Sequence, residues 1–534
     1  MINERTTVAA GYGLAQFIHR GRITGTSPGL ENAASMGANL AAARTGRLAR
    51  VLRRAPNGRQ TSTLPTFNSL ANLLAPCARA ERRCAKLLRL ATPPRGRAPR
   101  GTLQAIANIA RAPAQNVGRL FELARSGPTP YRPALRGSAR PDAWTLALRF
   151  VGDGETISGP GNFAIDADGN VWALNNYQYE ASPFTPACGS DQLIKLTPDG
   201  RFAPGSPYTG GGLSGAGYGI TFDPAGDLWV GNYGFAGVGC TEQPAHNSVS
   251  KFTEDGRALS PDATATSTGG FTQGNISWAQ GTVSDREGNI WIANCGNDTV
   301  TRYPNGDPAA AQNLTGLGLK QPFDIAINGE GQAFVTAVGN DSVAMLNPDG
   351  TPTARSPIRS GGLNQPMGIA VDSRGYMWVA NSGVIDLPCP DASPSLSTRG
   401  GSLTLIGPDG VPESPTAFEG GGLTIPWGIT VDGDDHVWVA NFGKRRVSEF
   451  CGKRPRTCPP GTDTGDPISP DGSGYGFEGL VRNTGLAVDP SGNVWVANNW
   501  LTIPVQSNPG GRQIVAFVGI AAPLETPVIG PPRR

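Results

Sequence analysis

One pattern recurs seven times between about residue 159 and the C-terminus, and it constrains the fold of this 534-residue chain more than any other feature. Its clearest copy is Pro366–Asn381, which reads Pro-Met-Gly-Ile-Ala-Val-Asp-Ser-Arg-Gly-Tyr-Met-Trp-Val-Ala-Asn. The aspartate position of the copies advances through Asp166, Asp223, Asp285, Asn328, Asp372, Asp432 and Asp489, at intervals of 57, 62, 43, 44, 60 and 57 residues. Each copy is therefore one unit of a repeat protein.

The parts of the repeat predict short strands and tight turns. Gly-Ile-Ala-Val is a run of small and β-branched residues that suits an inner strand, and Trp-Val-Ala-Asn predicts a second strand whose tryptophan packs between neighbouring units. Between them, Asp-x-x-Gly predicts a turn in which the Asp side chain accepts hydrogen bonds from nearby backbone N–H groups and the Gly takes a positive φ. A third strand and a Gly-rich return segment follow in most copies.

These units predict a β-propeller. A period near 43 residues with insertions is typical of blades built from four short antiparallel strands. Seven copies predict an all-β, seven-bladed propeller over residues 141–534, with inner strands near residues 162, 219, 281, 324, 368, 428 and 485. Apolar residues alternate strictly within 144–151, which predicts a strand that completes the last blade and closes the ring.

Residues 1–140 follow a different pattern and predict a small α-helical N-terminal domain. Apolar residues recur at helical spacing, as in Phe67, Leu70, Ala71 and Leu74. This region carries 23 Lys+Arg against 4 Asp+Glu, whereas the rest of the chain carries 22 against 38. It could contact an anionic surface, neutralise the acidic repeats, or simply place arginines on solvated helix faces. Nucleic acid is not the expected partner, because no stacking platform or nucleic-acid module accompanies the arginines.

The eight cysteines favour an oxidising compartment, because they are even in number and lack a metal-type Cys-x-x-Cys pair. Candidate disulfides are Cys451–Cys458, Cys188–Cys240 or Cys240–Cys295, and Cys77–Cys84 if the helix between that last pair breaks. Free buried thiols remain the alternative. The first 20 residues make a poor signal peptide, because Glu4 lies in the basic region and His19-Arg20 precede the cleavage point. We expect an exported protein, or a cytoplasmic one if Met1 is the true start.

No run of 18 apolar residues is present, so no membrane-spanning helix is expected.

The unit Pro-x-Gly-Ile-Ala-Val-Asp-x-x-Gly-x-x-Trp-Val-Ala-Asn resembles NHL-type repeats. Its form with Trp and a terminal Asn is similar to the bacterial streptogramin (virginiamycin B) lyase-like branch of that superfamily. The resemblance covers roughly residues 144–520 and implies the propeller fold. It also implies export, and it would imply a histidine base and a Glu-bound divalent metal near the channel mouth if the chain were a lyase.

The chain lacks the residues that a lyase would need. It has three histidines, and no Glu-x-His pair lies on an inner strand. His19 precedes the repeats, and His246 follows the second strand of repeat two. His436 lies in the first turn of repeat six, where three other repeats carry Asn, and it is expected to face solvent. The sequence therefore argues against lyase activity.

A lactonase-like hydrolase would need Glu, Asn and Asp side chains that converge on one metal in the channel. Asparagines end the second strands at positions 175, 232, 294, 381, 441 and 498. Six near-identical copies indicate a structural position more than a catalytic one. Asp324 is different, because it replaces the inner-strand Gly in the repeat that also carries Asn328 and Ala337. It marks either a specialised blade or drift in a degenerate repeat.

Binding has better support from the sequence. The residue before the inner-strand Gly position varies, although its neighbours are nearly constant, and it is expected to face the channel mouth. The candidate ligand-binding residues at this position are Tyr218, Gln280, Phe323, Met367 and Trp427, and Asp324 adjoins them. Long loops in repeats one, two and seven add Tyr177, Tyr233 and Trp500. A packing role is the alternative for each of these side chains.

The sequence thus predicts a non-catalytic, exported propeller that binds a protein, peptide or carbohydrate through its channel-mouth face, without a cofactor. One alternative is a metal-dependent lyase-like or lactonase-like enzyme with a divalent cation in the central channel. A second alternative is a cell-envelope scaffold that uses the basic N-terminal region.

Overall fold

The computed structural model describes residues 1–78, 81–94, 96–127, 129–182, 185, 187–237, 239–383, 389, 400–501 and 510–534. The N-terminal part is a helical layer with one small hairpin. Its elements are α1 (Glu4–Gly13), β1 (Ile18–His19), β2 (Arg22–Ile23), α2 (Gly29–Ala38), α3 (Arg50–Arg53), α4 (Thr63–Leu74), α5 (Glu81–Leu90), α6 (Thr102–Arg111) and α7 (Val117–Arg125). The strand β3 (Ala147–Phe150) follows and leads into the repeats.

Each repeat forms one small antiparallel sheet, and the described residues contain seven of them with three or four strands each. Sheet one holds β4 (Phe163–Ile165), β5 (Val171–Leu174) and β6 (Leu193–Leu196). Sheet two holds β7 (Ala216–Phe222), β8 (Leu228–Asn232) and β9 (Ser248–Phe252). Sheet three holds β10 (Ala279–Ser284), β11 (Ile290–Asn294), β12 (Thr299–Tyr303) and β13 (Gln312–Leu314).

The remaining sheets follow the same order along the chain. Sheet four holds β14 (Pro322–Ile327), β15 (Ala333–Ala337) and β16 (Ser342–Leu346). Sheet five holds β17 (Pro366–Val371), β18 (Met377–Asn381) and β19 (Ser402–Ile406). Sheet six holds β20 (Pro426–Val431), β21 (Val437–Asn441), β22 (Arg446–Phe450) and β23 (Tyr475–Gly476). Sheet seven holds β24 (Arg482–Val488), β25 (Val494–Trp500), β26 (Ile514–Phe517) and β3.

The first strands of the seven sheets contact one another in turn and form a closed ring. The order of contact is β4, β7, β10, β14, β17, β20, β24 and back to β4. As predicted, the strand before the repeats completes the last sheet, because β3 pairs antiparallel with β26 and brings Phe150 opposite Ile514. The two ends of the repeat region are thus hydrogen-bonded together, and this pairing protects strand edges that would otherwise be exposed.

The Asp of each repeat organises the turn between its first two strands. In sheet three, Asp285 Oδ1 accepts hydrogen bonds from the backbone N–H groups of Glu287 and Asn289, at 3.1 and 2.8 Å. Its Oδ2 accepts the indole Nε1–H of Trp291 at 3.1 Å. Equivalent Trp–Asp bonds in the described chain join Trp172–Asp166, Trp229–Asp223, Trp438–Asp432 and Trp495–Asp489. The carboxylate therefore fixes both the turn and the tryptophan that packs between sheets.

The asparagines that end the second strands have structural partners. In sheet two, Asn232 Oδ1 accepts the backbone N–H of Ser214, and its Nδ2 donates to the hydroxyls of Ser248 and Ser250. The side-chain oxygens of Asn175, Asn294, Asn381, Asn441 and Asn498 accept a backbone N–H at the corresponding place. These amides tie the loop that enters each sheet to its second strand, so they do not converge on one point in the channel.

The helical layer shares a hydrophobic core with sheets one and seven. Phe67, Leu70 and Ile106 belong to the same buried cluster as Trp144 and Trp495. The side chains of Asn57 and Thr63 hydrogen-bond to the backbone of Arg149 and Ala147, so the layer also covers the outer edge of β3. A domain boundary at residue 140 stays a prediction.

The expectation that His436 faces solvent was wrong. Its side chain is 13% exposed, and its Nδ1 lies 2.8 Å from Glu449 Oε1. Residues at the end of α6 and in the loop 456–460 surround this turn. The sequence pattern of a single repeat cannot reveal such cover, because it comes from segments distant along the chain.

None of the helices in the described part of the chain is long and apolar enough to cross a membrane.

The contribution of the tryptophan–carboxylate bond to stability can be tested by comparing the repeat tryptophans of sheets three and five, since the tryptophan of sheet five serves as a matched control. Trp378 is as buried as Trp291, yet its Nε1 has no hydrogen-bond partner in the described residues. Trp291→Phe should lower the free energy of unfolding by about 2 kcal/mol more than Trp378→Phe, because only the first leaves a charged acceptor without its donor. Urea denaturation of the two variants measures this difference. Equal losses would contradict a specific role for the bond.

Candidate functional site

The loops between second and third strands, together with the entry to each first strand, gather at one end of the ring, the channel mouth. Of the predicted candidates, Tyr218, Phe323, Met367, Trp427, Tyr177 and Trp500 all belong to one buried hydrophobic cluster there. The rings are in direct contact, with centroids 4.8 Å apart for Tyr218 and Phe323 and 5.8 Å for Phe323 and Trp427. Trp500 donates its Nε1–H to the Tyr177 hydroxyl at 2.9 Å. These side chains form the inner layer of the mouth and pack against one another.

The inner layer leaves one small cavity. About 20 Å³ remains between Asn176, Trp427, Asn499 and neighbouring residues, which is room for about one water molecule or one small polar group. Gln280 and Tyr218 also line this space. The structure therefore brings together residues of sheets one, two, three, four, six and seven around a single point in the channel mouth.

Four polar atoms at this cavity lack partners in the described chain. They are both side-chain atoms of Asn176, the Nε1 of Trp427 and the Oδ1 of Asn499. Each of the three side chains is more than nine-tenths buried. A buried donor or acceptor without a hydrogen bond costs about 1–3 kcal/mol, and such groups are rare in native proteins. Their clustering indicates a place where a polar group from outside the chain is accommodated.

A second set of side chains, which the sequence analysis missed, lies two positions before the inner layer. These are Trp278, Gln321, Gln365 and Ile425, and all are partly exposed, unlike the residues two positions later. Each has a left-handed backbone, with φ of 53°, 52°, 47° and 49°. Non-glycine residues adopt this conformation at a cost, and such residues concentrate at functional sites. We call these four residues the outer layer. Variation between repeats at this position was visible in the sequence, but the backbone conformation was not.

Aromatic side chains extend the outer layer toward sheet two. His246 stacks on Trp278 with ring centroids 4.5 Å apart, and Tyr233 meets Trp278 edge-on at 5.1 Å. Phe235 lies 4.4 Å from Tyr233, and it is partly exposed like Trp278. The predicted candidate Tyr233 is buried beneath them. Trp278, His246 and Phe235 thus form a partly exposed aromatic patch beside the cavity.

Two disulfides tie loops of the channel mouth together. Cys188 pairs with Cys240, and Cys295 pairs with Cys389, each with Cα atoms 5.8 Å apart. The sequence left Cys188 and Cys295 open as partners of Cys240, and the structure has Cys188. The pair with Cys389 was not predicted, because the two residues are 94 positions apart and lie in repeats that are not neighbours.

The other two cysteine pairs lie away from the channel mouth. Cys451 pairs with Cys458, with Cα atoms 5.6 Å apart. Cys77 pairs with Cys84 at 4.6 Å, and the helix does break between them, because α4 ends at Leu74 and α5 begins at Glu81.

Asp324 lies deeper in the channel than the two layers. Its Oδ1 accepts the backbone N–H of Ile325 at 2.9 Å, and its Oδ2 accepts that of Ile369 on the next first strand at 3.0 Å. Burial raises the pKa of this carboxyl to about 7, although both N–H groups act in the opposite direction. A cavity of about 180 Å³ adjoins it, lined by first-strand residues and by the C-terminal segment that includes Leu524 and Val528. The carboxyl thus links the first strands of two neighbouring sheets.

The comparisons with known proteins concern the propeller-like arrangement. The structure of a streptogramin B lyase is similar at 14% identity and a TM-score of 0.46, covering 70% of this chain and 97% of that chain. A catalytically inactive virginiamycin B lyase from Staphylococcus aureus with quinupristin matches at 13% and 0.45, covering 70% and 99%. A gluconolactonase from Xanthomonas campestris matches at 15% and 0.34, covering 69% and 96%.

No protein-family model matches the sequence, and no curated protein matches it either.

The Asp324 carboxyl should make stability depend on pH. Its folded pKa of about 7 lies above the unfolded value of about 4, so its favourable contribution is complete below pH 4 and is lost as the pH rises through 7. Relative to Asp324→Asn, the wild-type free energy of unfolding should fall by about 1.4 kcal/mol per pH unit over this window. Urea denaturation of both proteins from pH 4 to 8 measures the slope. A constant offset without a change in slope would contradict this assignment.

Proposed function

We propose that the protein is a non-catalytic, exported, seven-bladed β-propeller that binds a peptide, protein or carbohydrate through the channel mouth. The observation that carries this proposal is the cluster of unpartnered polar atoms on Asn176, Trp427 and Asn499 around one small cavity. A ligand that places one hydroxyl, amide or carbonyl group in this cavity would satisfy groups that have no partner among the described residues.

The inner and outer layers would make different contacts with a ligand. The inner layer and the adjoining Asn176 are buried and supply donors and acceptors at fixed positions, because Asn176 offers both and Trp427 offers an N–H. The outer layer and the aromatic patch are partly exposed, so they would contact the body of the ligand. Trp278 and Phe235 present flat apolar surfaces, and Gln321 adds an amide. Flat rings beside amides suit the apolar faces and polar edges of sugars, or the side chains and backbone of a peptide.

Rigid surroundings favour such a site. The closed ring of first strands holds the inner layer, and the disulfides Cys188–Cys240 and Cys295–Cys389 restrain the loops around it. A surface that is ordered before binding loses less conformational entropy when the ligand arrives. Four disulfides in the described chain also favour export, since such bonds persist mainly in oxidising compartments.

The acidic and imidazole groups near the mouth support binding more than catalysis. Asp324 is committed to two backbone N–H groups, and His246 stacks on Trp278 with its Nδ1 3.3 Å from the Pro244 carbonyl oxygen. Among the described residues, neither belongs to a set of side chains that resembles a nucleophile and its base. A binding site therefore requires no movement of the Asp324 and His246 side chains, whereas a lyase-like or lactonase-like active site would require them to leave their present partners.

The proposal predicts opposite effects of one substitution on stability and on binding. Asn176→Leu removes two buried polar atoms that lack partners, so the free energy of unfolding of the free protein should stay constant or rise by about 1 kcal/mol. Binding to hits from a glycan array and an immobilised peptide library should fall about tenfold or more. Trp278→Ala should weaken binding to the same probes, because it removes the centre of the aromatic patch.

Val411→Ala serves as the matched control, since Val411 is an exposed apolar residue outside the mouth. It should leave binding unchanged. Retained binding in both Asn176→Leu and Trp278→Ala would overturn the proposed site. Turnover of a streptogramin or a lactone by the wild type, lost in Asp324→Asn, would replace the binding function with an enzymatic one.

A further inference from the structure

Sheet six departs from a charge pattern that sheets one, two and three share, whereas sheets four, five and seven have an apolar residue at the same place. The third-strand residue opposite the repeat Trp is Lys195 in sheet one, Lys251 in sheet two and Arg302 in sheet three. Each cation lies over its tryptophan ring, and the two lysines also pair with the turn aspartates at 3.1 and 3.2 Å. In sheet six the residue opposite Trp438 is Glu449. A buried carboxylate therefore occupies the place of a cation beside a second buried carboxylate, Asp432.

The same sheet carries a compensating change in the turn. Sheets one, three and seven have Asn170, Asn289 and Asn493 at the fourth position after the turn aspartate, and each of these donates its amide to that aspartate. Sheet six has His436 there instead. Its Nδ1 lies 2.8 Å from Glu449 Oε1. Glu449 and His436 thus stand where other sheets have residues that stabilise the turn aspartate. Carboxylate and imidazole groups are common metal ligands, and here both occur in one sheet.

We propose that Asp432, His436 and Glu449 form a binding site for a divalent transition-metal ion of the Zn²⁺ type. One ligand atom from each residue lies within 4.8 Å of the others. His436 Nδ1 and Glu449 Oε1 are the direct ligands, because they lie 2.8 Å apart and can approach one ion together. Asp432 already accepts four N–H hydrogen bonds, so it contributes mainly negative charge at a fixed distance.

The surroundings of the cluster suit a metal ion. Tyr475 donates its hydroxyl to Glu449 Oε2 at 2.7 Å, which orients the carboxylate so that Oε1 points to the imidazole. The Nε2 of His436 is buried without a partner among the described residues, and it carries the ring proton when Nδ1 binds a metal. A cavity of about 630 Å³ between α6, the loop 456–460 and sheet six reaches the cluster. This space supplies an entry path and water molecules for the remaining coordination positions.

This site is independent of the channel mouth, because the turns between first and second strands lie at the opposite end of the sheets. Its position between sheet six and the helical layer gives it a structural consequence. Gln16, Asn108 and Arg111 of the helical layer line the same cavity. An ion bound there would stabilise the folded protein and reinforce the contact between the layer and sheet six, since metal binding to the native state raises its stability by mass action.

The chain contains three histidines, and the described cysteines are all in disulfides, so few other side chains compete for a Zn²⁺ ion. The two remaining histidines therefore serve as matched controls for His436. Isothermal titration of the oxidised protein with Zn²⁺ should show one site. His436→Asn, which installs the residue of sheets one, three and seven, should lower the affinity about tenfold or more. His19→Asn and His246→Asn should bind Zn²⁺ like the wild type.

A second variant separates loss of the metal from loss of the fold. Glu449→Lys installs the residue of sheets one and two and offers Asp432 a new ion pair, but it removes the acceptor of the Tyr475 hydroxyl, so the variant should still unfold in one cooperative transition without Zn²⁺, at a lower temperature than the wild type. It should show none of the increase in unfolding temperature that Zn²⁺ gives the wild type. The proposal is overturned if the wild type does not bind Zn²⁺ or if His436→Asn binds it as tightly.

Discussion

The hydrogen bond from the repeat tryptophan to the turn aspartate is the interaction on which the architecture depends. It buries a carboxylate against an indole, and it brings the turn, the second strand and the contact with the next sheet into one rigid unit. Because the same unit recurs in five of the seven sheets of the described chain, these sheets stand in nearly the same relation to their neighbours. Sheet four keeps the turn geometry with a neutral side chain, since Asn328 Oδ1 accepts the backbone N–H groups of Glu330 and Gln332. In sheet five, the Asp372 carboxyl accepts two backbone N–H groups, and burial raises its pKa to about 6.

Because the backbone is nearly the same in each repeat, the positions where the side chains differ are candidates for function. At the channel mouth, a repeated backbone holds side chains that differ from sheet to sheet, and the result is a packed inner layer below a partly exposed outer one. Asp324 is another side chain that differs between repeats. It replaces a glycine and, through hydrogen bonds from two backbone N–H groups, joins β14 to β17. Positions that vary within a constant frame are where a repeat protein can acquire specificity without losing stability.

The helical layer changes the environment of one end of the ring. It shares a core with sheets one and seven, and residues of α6 help to enclose the cavity beside sheet six. There, His436 and the carboxylates of Asp432 and Glu449 form a mostly buried cluster. Burial strengthens their mutual interactions, because the surrounding dielectric constant is lower than that of water. Neither the channel mouth nor the proposed metal site uses the basic residues of the helical layer as ligands.

The sequence by itself determined the repeat, its strands and turns, the return of residues 147–150 to the last sheet, and the structural role of the second-strand asparagines. These features are local, since a turn aspartate and its tryptophan are six residues apart and interact wherever the unit folds. Only the tertiary structure decided that the candidate ring residues are buried, that Trp278 and Ile425 lie above them in left-handed conformations, that Cys295 joins Cys389, and that His436 is covered. Those outcomes depend on segments up to hundreds of residues apart and on the space that remains when the ring closes. One repeat carries no record of either.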